Sequence, residues 1–209
     1  MFPAGRVPAF PDVAERKQHL QQDDVDRFLK HLQNEFKFAQ MRRGAGPGGS
    51  IAEFWAFSAK APSDMWDPIG QALLLLALGN IPLDVLKALL SSRLVAQDRP
   101  EADKVRPLAI GNFFRKLTNK AKAKLFKGRV SCKIGDLAYC LGGGKTAELM
   151  HKAVLTDLDI RPKSILHKFD VSNAHNEFDR AEALRVVTTE VPEMMPWVVS
   201  ELCCPTEHV

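Results

Sequence analysis

The sequence predicts an α+β fold in which helices dominate, and three observations lead to this prediction. Apolar residues recur at helical spacing in several segments. Two short apolar runs, 93–97 and 105–110, flank the polar turn DRPEAD and predict a β-hairpin. A third segment, 164–171, alternates between two faces as a strand does. With 209 residues, 45% of them hydrophobic and 26% charged, the chain is long enough to bury one core.

The first two predicted elements are a loose arm and a long helix. Residues 1–20 are rich in proline and weakly patterned, which favours an arm. A helix is predicted from Asp23 or Asp24, either of which can cap it, to about Met41. One face of this helix carries the apolar side chains Val25, Phe28, Leu29, Leu32, Phe36 and Ala39. The segment MRRGAGPGGS ends the helix, because its glycines and its proline cannot continue it.

More helices are predicted on both sides of the hairpin. Two core helices precede it, one over 68–78 ending at Gly79 and one beginning at Pro82. In the hairpin itself, Pro107 restricts pairing to a sheet edge. The helices predicted after the hairpin span 112–126, 145–158, 180–190 and 192–203.

The charge is concentrated in one segment. Residues 104–129 hold nine Lys or Arg and no Asp or Glu, so with a net charge of +4 the other residues sum to 4 − 9 = −5. A segment of one sign on an acidic body predicts a polyanion partner, either nucleic acid or a triphosphate. The alternative is a solvated helix face that carries lysines for solubility.

Several classes of protein are excluded or disfavoured. The longest apolar run, 72–78, is far shorter than the ~20 residues of a membrane helix, and the N-terminus has no apolar signal region. None of the four cysteines forms a C-x-x-C pair or has zinc-finger spacing. These features predict an intracellular protein without a membrane partner, in the nucleus or the cytoplasm.

A glycine-rich segment, CLGGGKTAEL, suggests a phosphate-binding loop. The full pattern G-x-x-x-x-G-K-[ST] would need its first glycine at Tyr139, so the match is incomplete. The prediction is therefore a turn at 142–144 that opens a helix. A small phosphate-binding enzyme built on GGGKT remains the third-ranked alternative.

Asp170 ends the predicted strand, in the string KFDVSNAHNEFDR. A lone aspartate at this position is often a helix cap or a turn former. The string, however, resembles the first catalytic palm motif of reverse transcriptases, and KVRPLAIGNFFRKLTNK resembles their fingers motif. LGGGKTAELMHKAV and GAGPGG are similar to glycine-rich stretches of the non-LTR retroelement type. The resemblance covers roughly residues 42–205.

The resemblance implies the fingers and a partial palm of a right-hand polymerase. It divides the chain into an N-terminal arm and helix (1–41), a fingers-like region (42–163) and a partial palm (164–209). The implied partners are an RNA template, a DNA primer and a dNTP, and the implied cofactor in the intact enzyme is Mg²⁺. Nucleotidyl transfer needs two such ions, which take hard oxygen ligands.

Roles follow from the same resemblance. Asp170 is the catalytic residue and a metal ligand, helped by the backbone carbonyl of Val171. His175 stands where the family has Phe or Tyr, a ring that excludes the 2′-hydroxyl of the nucleotide. Lys104 and Arg106 bind the incoming triphosphate. The residues expected along a template or primer backbone are Arg115, Lys116, Lys120, Lys122 and Lys124.

The family's Tyr-x-Asp-Asp motif does not occur in the 209 residues. One aspartate cannot hold two metals, so the chain alone is expected to lack polymerase activity and to represent a fragment of a reverse transcriptase. The alternative is a nonenzymatic RNA- or DNA-binding protein that uses the basic helix 112–127.

Overall fold

A computed structural model describes residues 7–39, 49, 52–99, 104–134, 146–167 and 179–204. The helices are α1 (Val13–Gln18), α2 (Gln22–Lys37), α3 (Ala52–Trp55), α4 (Ser63–Ala77), α5 (Leu83–Leu90), α6 (Phe113–Ile134), α7 (Thr146–Ile160), α8 (Arg180–Glu190) and α9 (Met195–Cys203). The strands are β1 (Ser92–Arg99) and β2 (Lys104–Gly111). The predicted helix-rich α+β class is confirmed for these residues.

Two compact units make up the described chain. One contains the described residues up to 125 and those from 179 onward, and the other contains those from 126 to 167. The three regions predicted from the sequence were defined by motifs, and the two compact units do not test those boundaries.

In the larger unit, α2 buries the face that its periodicity predicted. Val25, Phe28, Leu32 and Phe36 are buried. The Phe28 ring lies 4.8 Å from that of Trp197, centroid to centroid. Phe36 is 5.4 Å from Trp66 of α4 and 5.6 Å from Phe113 of α6. Ring pairs of this kind stabilise a core beyond the apolar area that they bury.

Helix α2 begins at Gln22 and ends at Lys37, so Asp23 and Asp24 lie inside its first turn and do not cap it, and its end comes before the predicted Met41.

Two other helix beginnings differ from the prediction. The proline-rich arm contains a short helix, α1, and the Arg16 guanidinium in it donates to the Leu78 carbonyl at 3.0 Å. Helix α4 begins at Ser63 and not at Pro68, which lies inside it. Trp66, in the first turn, is buried. Its packing keeps the residues before Pro68 helical, although the proline was expected to mark the start of the helix.

Gly79 ends α4 as predicted. Its φ is +67°, and the amides of Gly79 and Asn80 donate to the Leu76 and Leu75 carbonyls at 3.1 and 2.8 Å. This pair of bonds is the Schellman pattern of helix ends, which requires a left-handed residue. A Cβ at position 79 would also lie 3.3 Å from Cβ of Ser200.

The predicted hairpin is confirmed. Strands β1 and β2 pair antiparallel from Ser92 with Gly111 to Arg99 with Lys104, and Pro107 lies opposite Ala96. The following helix, α6, begins one residue after the predicted start but extends to Ile134, well beyond the expected end at 126.

The predicted strand 164–171 is only partly described, and that part is not a strand. Residues 164–167 have no regular structure, and Ile165 and Leu166 are 79% and 62% exposed. A strand needs a hydrogen-bonded neighbour, and in the described part of the chain the only paired strands are β1 and β2. Residues 168–171 lie outside the described residues.

The last helices follow the prediction closely. Asp179 caps α8, accepting hydrogen bonds from the amides of Ala181 and Glu182 at 2.9 and 3.2 Å. A 3-10 turn, Pro192–Met194, leads into α9, whose Trp197, Val199 and Cys203 are buried.

Candidate nucleic-acid interface

The hairpin leads directly into the basic helix. Asn112, between β2 and α6, is buried, and its side-chain oxygen accepts from the Phe114 amide at 2.9 Å. This bond satisfies one of the free amides at the start of α6. The helix therefore begins at a fixed point relative to the hairpin.

Helix α6 carries eight Lys or Arg and no Asp or Glu. Five of these cations lie in the larger unit, at positions 115, 116, 120, 122 and 124. They are the five that the sequence assigned to a nucleic-acid backbone. The structure gives them three different environments.

Arg115 is partly buried and held by hydrogen bonds. Its guanidinium donates to Glu201 of α9 at 2.7 and 3.0 Å and to the Leu90 carbonyl at 2.6 Å. A guanidinium engaged in this way fixes α6 against α9 and the end of α5. Its first role is structural, which the sequence prediction did not include.

Lys122 is the most buried of the five, and its ammonium lies 3.8 Å from the same Glu201. Burial lowers the pKa of Lys122 to about 8, with Arg115 acting in the same direction and Glu201 opposing. A side chain 8% exposed does not offer its charge to a phosphate on the surface. In this structure Lys122 belongs to an internal ion pair, and its predicted contact with a nucleic-acid backbone stays a prediction.

Glu201 balances these two cations. Burial alone would raise the pKa of Glu201, but the charges of Lys122 and Arg115 and hydrogen bonds from Arg115 and Asn119 outweigh it and lower the pKa. Glu201 was not among the site residues predicted from the sequence. The available signal was a single acidic residue in the otherwise apolar helix PWVVSELCC, since a charge on a core helix needs a buried partner.

Lys116, Lys120 and Lys124 remain on the surface. Lys120 and Lys124 are 50% and 55% exposed, and both pair with Glu35 of α2, Lys120 at 3.7 Å. Lys116 is exposed beside a cleft of about 360 Å³ between the base of the hairpin and α6. Ser92, Asn112 and Asn119 also line this cleft. These three lysines, and Arg115 where it lines the cleft, are the cations of α6 in this unit that a ligand can reach from solvent.

The other predicted site residues lie wholly or partly outside the described residues. Lys104 and Arg106 lie on β2, at and near the tip of the hairpin, but their side chains are outside the described residues. Asp170, Val171 and His175 lie outside them altogether. Their predicted catalytic, metal-binding and nucleotide-binding roles stay predictions.

The described residues contain neither a cluster of metal-binding side chains nor a membrane-spanning helix. Within the described ranges, no three His, Cys, Asp or Glu side chains are grouped as a metal site would require. Across the same part of the chain, every helix is too short or too polar to cross a bilayer.

Comparison of the sequence with protein-family models gives no match, and comparison with curated proteins gives none either.

Proposed function

We propose that this chain is the fingers and first palm region of a reverse transcriptase of the non-LTR retroelement type, and that it binds RNA template and DNA primer. The observation that carries the proposal is the continuous path from β2, with Lys104 and Arg106 in its sequence, through buried Asn112 into a helix rich in Lys and Arg. This path supports the strand-then-basic-helix order of the fingers motif.

Binding rests on the exposed lysines of α6. Phosphate oxygens attract Lys116, Lys120 and Lys124, and each contact releases counterions from the nucleic acid. Arg115 and Lys122 act through Glu201 to hold the helix that presents them. Because the contacts are to phosphates, binding tolerates many sequences.

Chemistry on the nucleotide would depend on magnesium. In the intact enzyme, Asp170 and the Val171 carbonyl would provide oxygen ligands, and Lys104, Arg106 and His175 would bind the dNTP. One carboxylate does not satisfy two magnesium ions, each of which takes several oxygen ligands. We therefore propose that the 209-residue polypeptide binds nucleic acid without extending a primer.

The binding test compares two lysine variants of equal charge. The affinity for a labelled RNA–DNA hybrid is measured against salt for the wild type, Lys116→Gln and Lys17→Gln, the last an exposed lysine of α1. We expect Lys116→Gln to weaken binding severalfold and to lower the salt slope by about one. Lys17→Gln should match the wild type. Equal affinities for all three, or no binding at low salt, would contradict the proposal.

A primer-extension assay tests the proposed lack of polymerase activity. No incorporation is expected with magnesium and dNTPs. Incorporation that Asp170→Asn abolishes would overturn the expected inactivity and would support the assignment of Asp170.

A second candidate is a nonenzymatic RNA- or DNA-binding protein that uses the basic helix alone. It is favoured by the exposure of Lys120 and Lys124, which requires no polymerase site. The two candidates differ in dNTP binding. Magnesium-dependent binding of a dNTP that is lost in Asp170→Asn favours the polymerase region, whereas indifference to Asp170 and magnesium favours the second candidate.

A further inference from the structure

Helix α2 lies beside α6 and adds charges of its own to the lysine surface. The link is Glu35 of α2, which is 11% exposed and pairs with both Lys120 and Lys124. These lysines are four residues apart, so they project from the same face of α6. Both ammonium groups also remain accessible to solvent, because each lysine side chain is about half exposed.

His31 stands one turn before Glu35 on α2, at the i, i+4 spacing that puts two side chains on one face. Burial lowers the pKa of His31, and the positive charges of Lys124, Arg27 and Lys30 lower it further, whereas Glu35 acts to raise it. In the described part of the chain, Lys124 is the charged group that faces His31 from another helix, and the other three belong to α2. His31 therefore lies among cations.

Arg27 lies 3.8 and 3.9 Å from the carboxylates of Asp23 and Asp24, which compensate part of its charge. Lys120 and Lys124 together with Glu35 sum to 2 − 1 = +1, and protonated His31 raises this to +2.

We propose that His31 of α2 joins Lys120 and Lys124 of α6 in one binding surface, the α2–α6 cationic surface, which holds the phosphates of an RNA strand. The proposal rests on the proposed function and extends it to a helix that the sequence motifs did not include. Glu35 holds the two helices together and at the same time competes with the phosphates for Lys120 and Lys124.

Binding at this surface is coupled to a proton. A phosphate near His31 adds negative charge to that of Glu35, so the pKa of His31 rises when RNA binds. The complex then holds more protons than the free protein, and affinity increases as the pH falls. A lysine surface without His31 has no such coupling near neutral pH.

The experiment uses the full chain and an oligouridylate of about 20 nucleotides, long enough to cover a single-strand site. Affinity is measured against salt concentration at about pH 6 and about pH 8 for the wild type, His31→Gln, Lys124→Gln, Glu35→Gln and the control Lys17→Gln. The pKa of His31 is followed by NMR with and without RNA, which reads out the coupling directly.

We expect the wild type to bind about threefold to tenfold more tightly at pH 6 than at pH 8, up to the tenfold that one unit of pKa change allows. His31→Gln should lose most of that difference, and Lys124→Gln should lower the salt slope by about one. Glu35→Gln should bind more tightly than the wild type, because it frees Lys120 and Lys124. A purely structural role for Glu35 would give weaker binding.

The experiment distinguishes failure of the proposed function from failure of the α2–α6 cationic surface. If the wild type does not bind RNA at low salt, the proposed function falls. If it binds, but the α2 variants behave like Lys17→Gln and the pKa of His31 does not move, the α2–α6 cationic surface is wrong and the proposed function stands.

Discussion

Glu201 of α9 accepts two hydrogen bonds from the Arg115 guanidinium of α6, at 2.7 Å from Nη2 and 3.0 Å from Nε. The same carboxylate lies 3.8 Å from the Lys122 ammonium. One acidic side chain thus compensates two cations of the basic helix, in surroundings that solvent reaches only partly. The first prediction concerns its loss.

Glu201→Gln is expected to lower the free energy of unfolding by about 3 kcal/mol, the cost of leaving buried charge uncompensated. A urea titration measures it. The matched control is Glu182→Gln, which removes a carboxylate bonded to Arg185 on the exposed surface of α8. Solvent screens that pair, so the change should be far smaller. Equal losses would show that Glu201 has no special role.

Lys122→Met is expected to change how stability depends on pH. Folded Lys122 loses its proton near pH 8, whereas unfolded lysine keeps it to about pH 10.5. Between these values the unfolded state binds more protons, so the contribution of Lys122 to stability increases as the pH rises through this window. Urea titrations at about pH 8 and about pH 10.5 give the free energy of unfolding of the wild type and of Lys122→Met, and the change in their difference isolates this contribution. A difference that does not change with pH would contradict the assigned pKa.

Asp179→Ala is expected to cost about 1 kcal/mol, because two amides at the start of α8 lose their acceptor. Asp179→Asn keeps a capping oxygen and should retain most of the stability. Thermal unfolding of both variants checks the prediction, and equal melting temperatures for Ala and Asn would argue against the cap.

The buried cysteines are expected to resist alkylation. Burial raises the pKa of Cys203 to about 11, so at pH 8 roughly one thiol in a thousand is the reactive thiolate. Burial raises the pKa of Cys204 as well, whereas Cys132 is exposed. Iodoacetamide followed by peptide mass spectrometry should label Cys132 first, and all three at similar rates in urea. Early labelling of Cys203 in the native protein would contradict this.

The sequence predicted elements whose signal is local. The period of Val25, Phe28, Leu32 and Phe36 located α2, and the apolar runs around DRPEAD located the hairpin. The end of α4 at Gly79 is local in the same sense, since a left-handed residue closes the last turn. Local propensity gave the wrong boundary where contacts between distant residues determine it. The start of α4, which is held by the burial of Trp66, is an example.

The candidate site was predictable in composition but not in environment. The start of the basic helix was predicted to within one residue, yet charge counting treats Lys116 and Lys122 alike, and only the fold separates an exposed lysine from a buried one. The partner that makes the difference, Glu201, is 86 positions from Arg115 in the chain. Pairings over that distance leave no periodicity for sequence analysis to detect.

The placement of the tryptophans has an optical consequence. All three, Trp55, Trp66 and Trp197, lie in the larger unit, and residues 126–167 contain none. Intrinsic fluorescence therefore reports on the unit that carries α2 and the hairpin, while far-ultraviolet circular dichroism also records α7. Recording both signals in one melt distinguishes units that unfold together from units that unfold in separate steps.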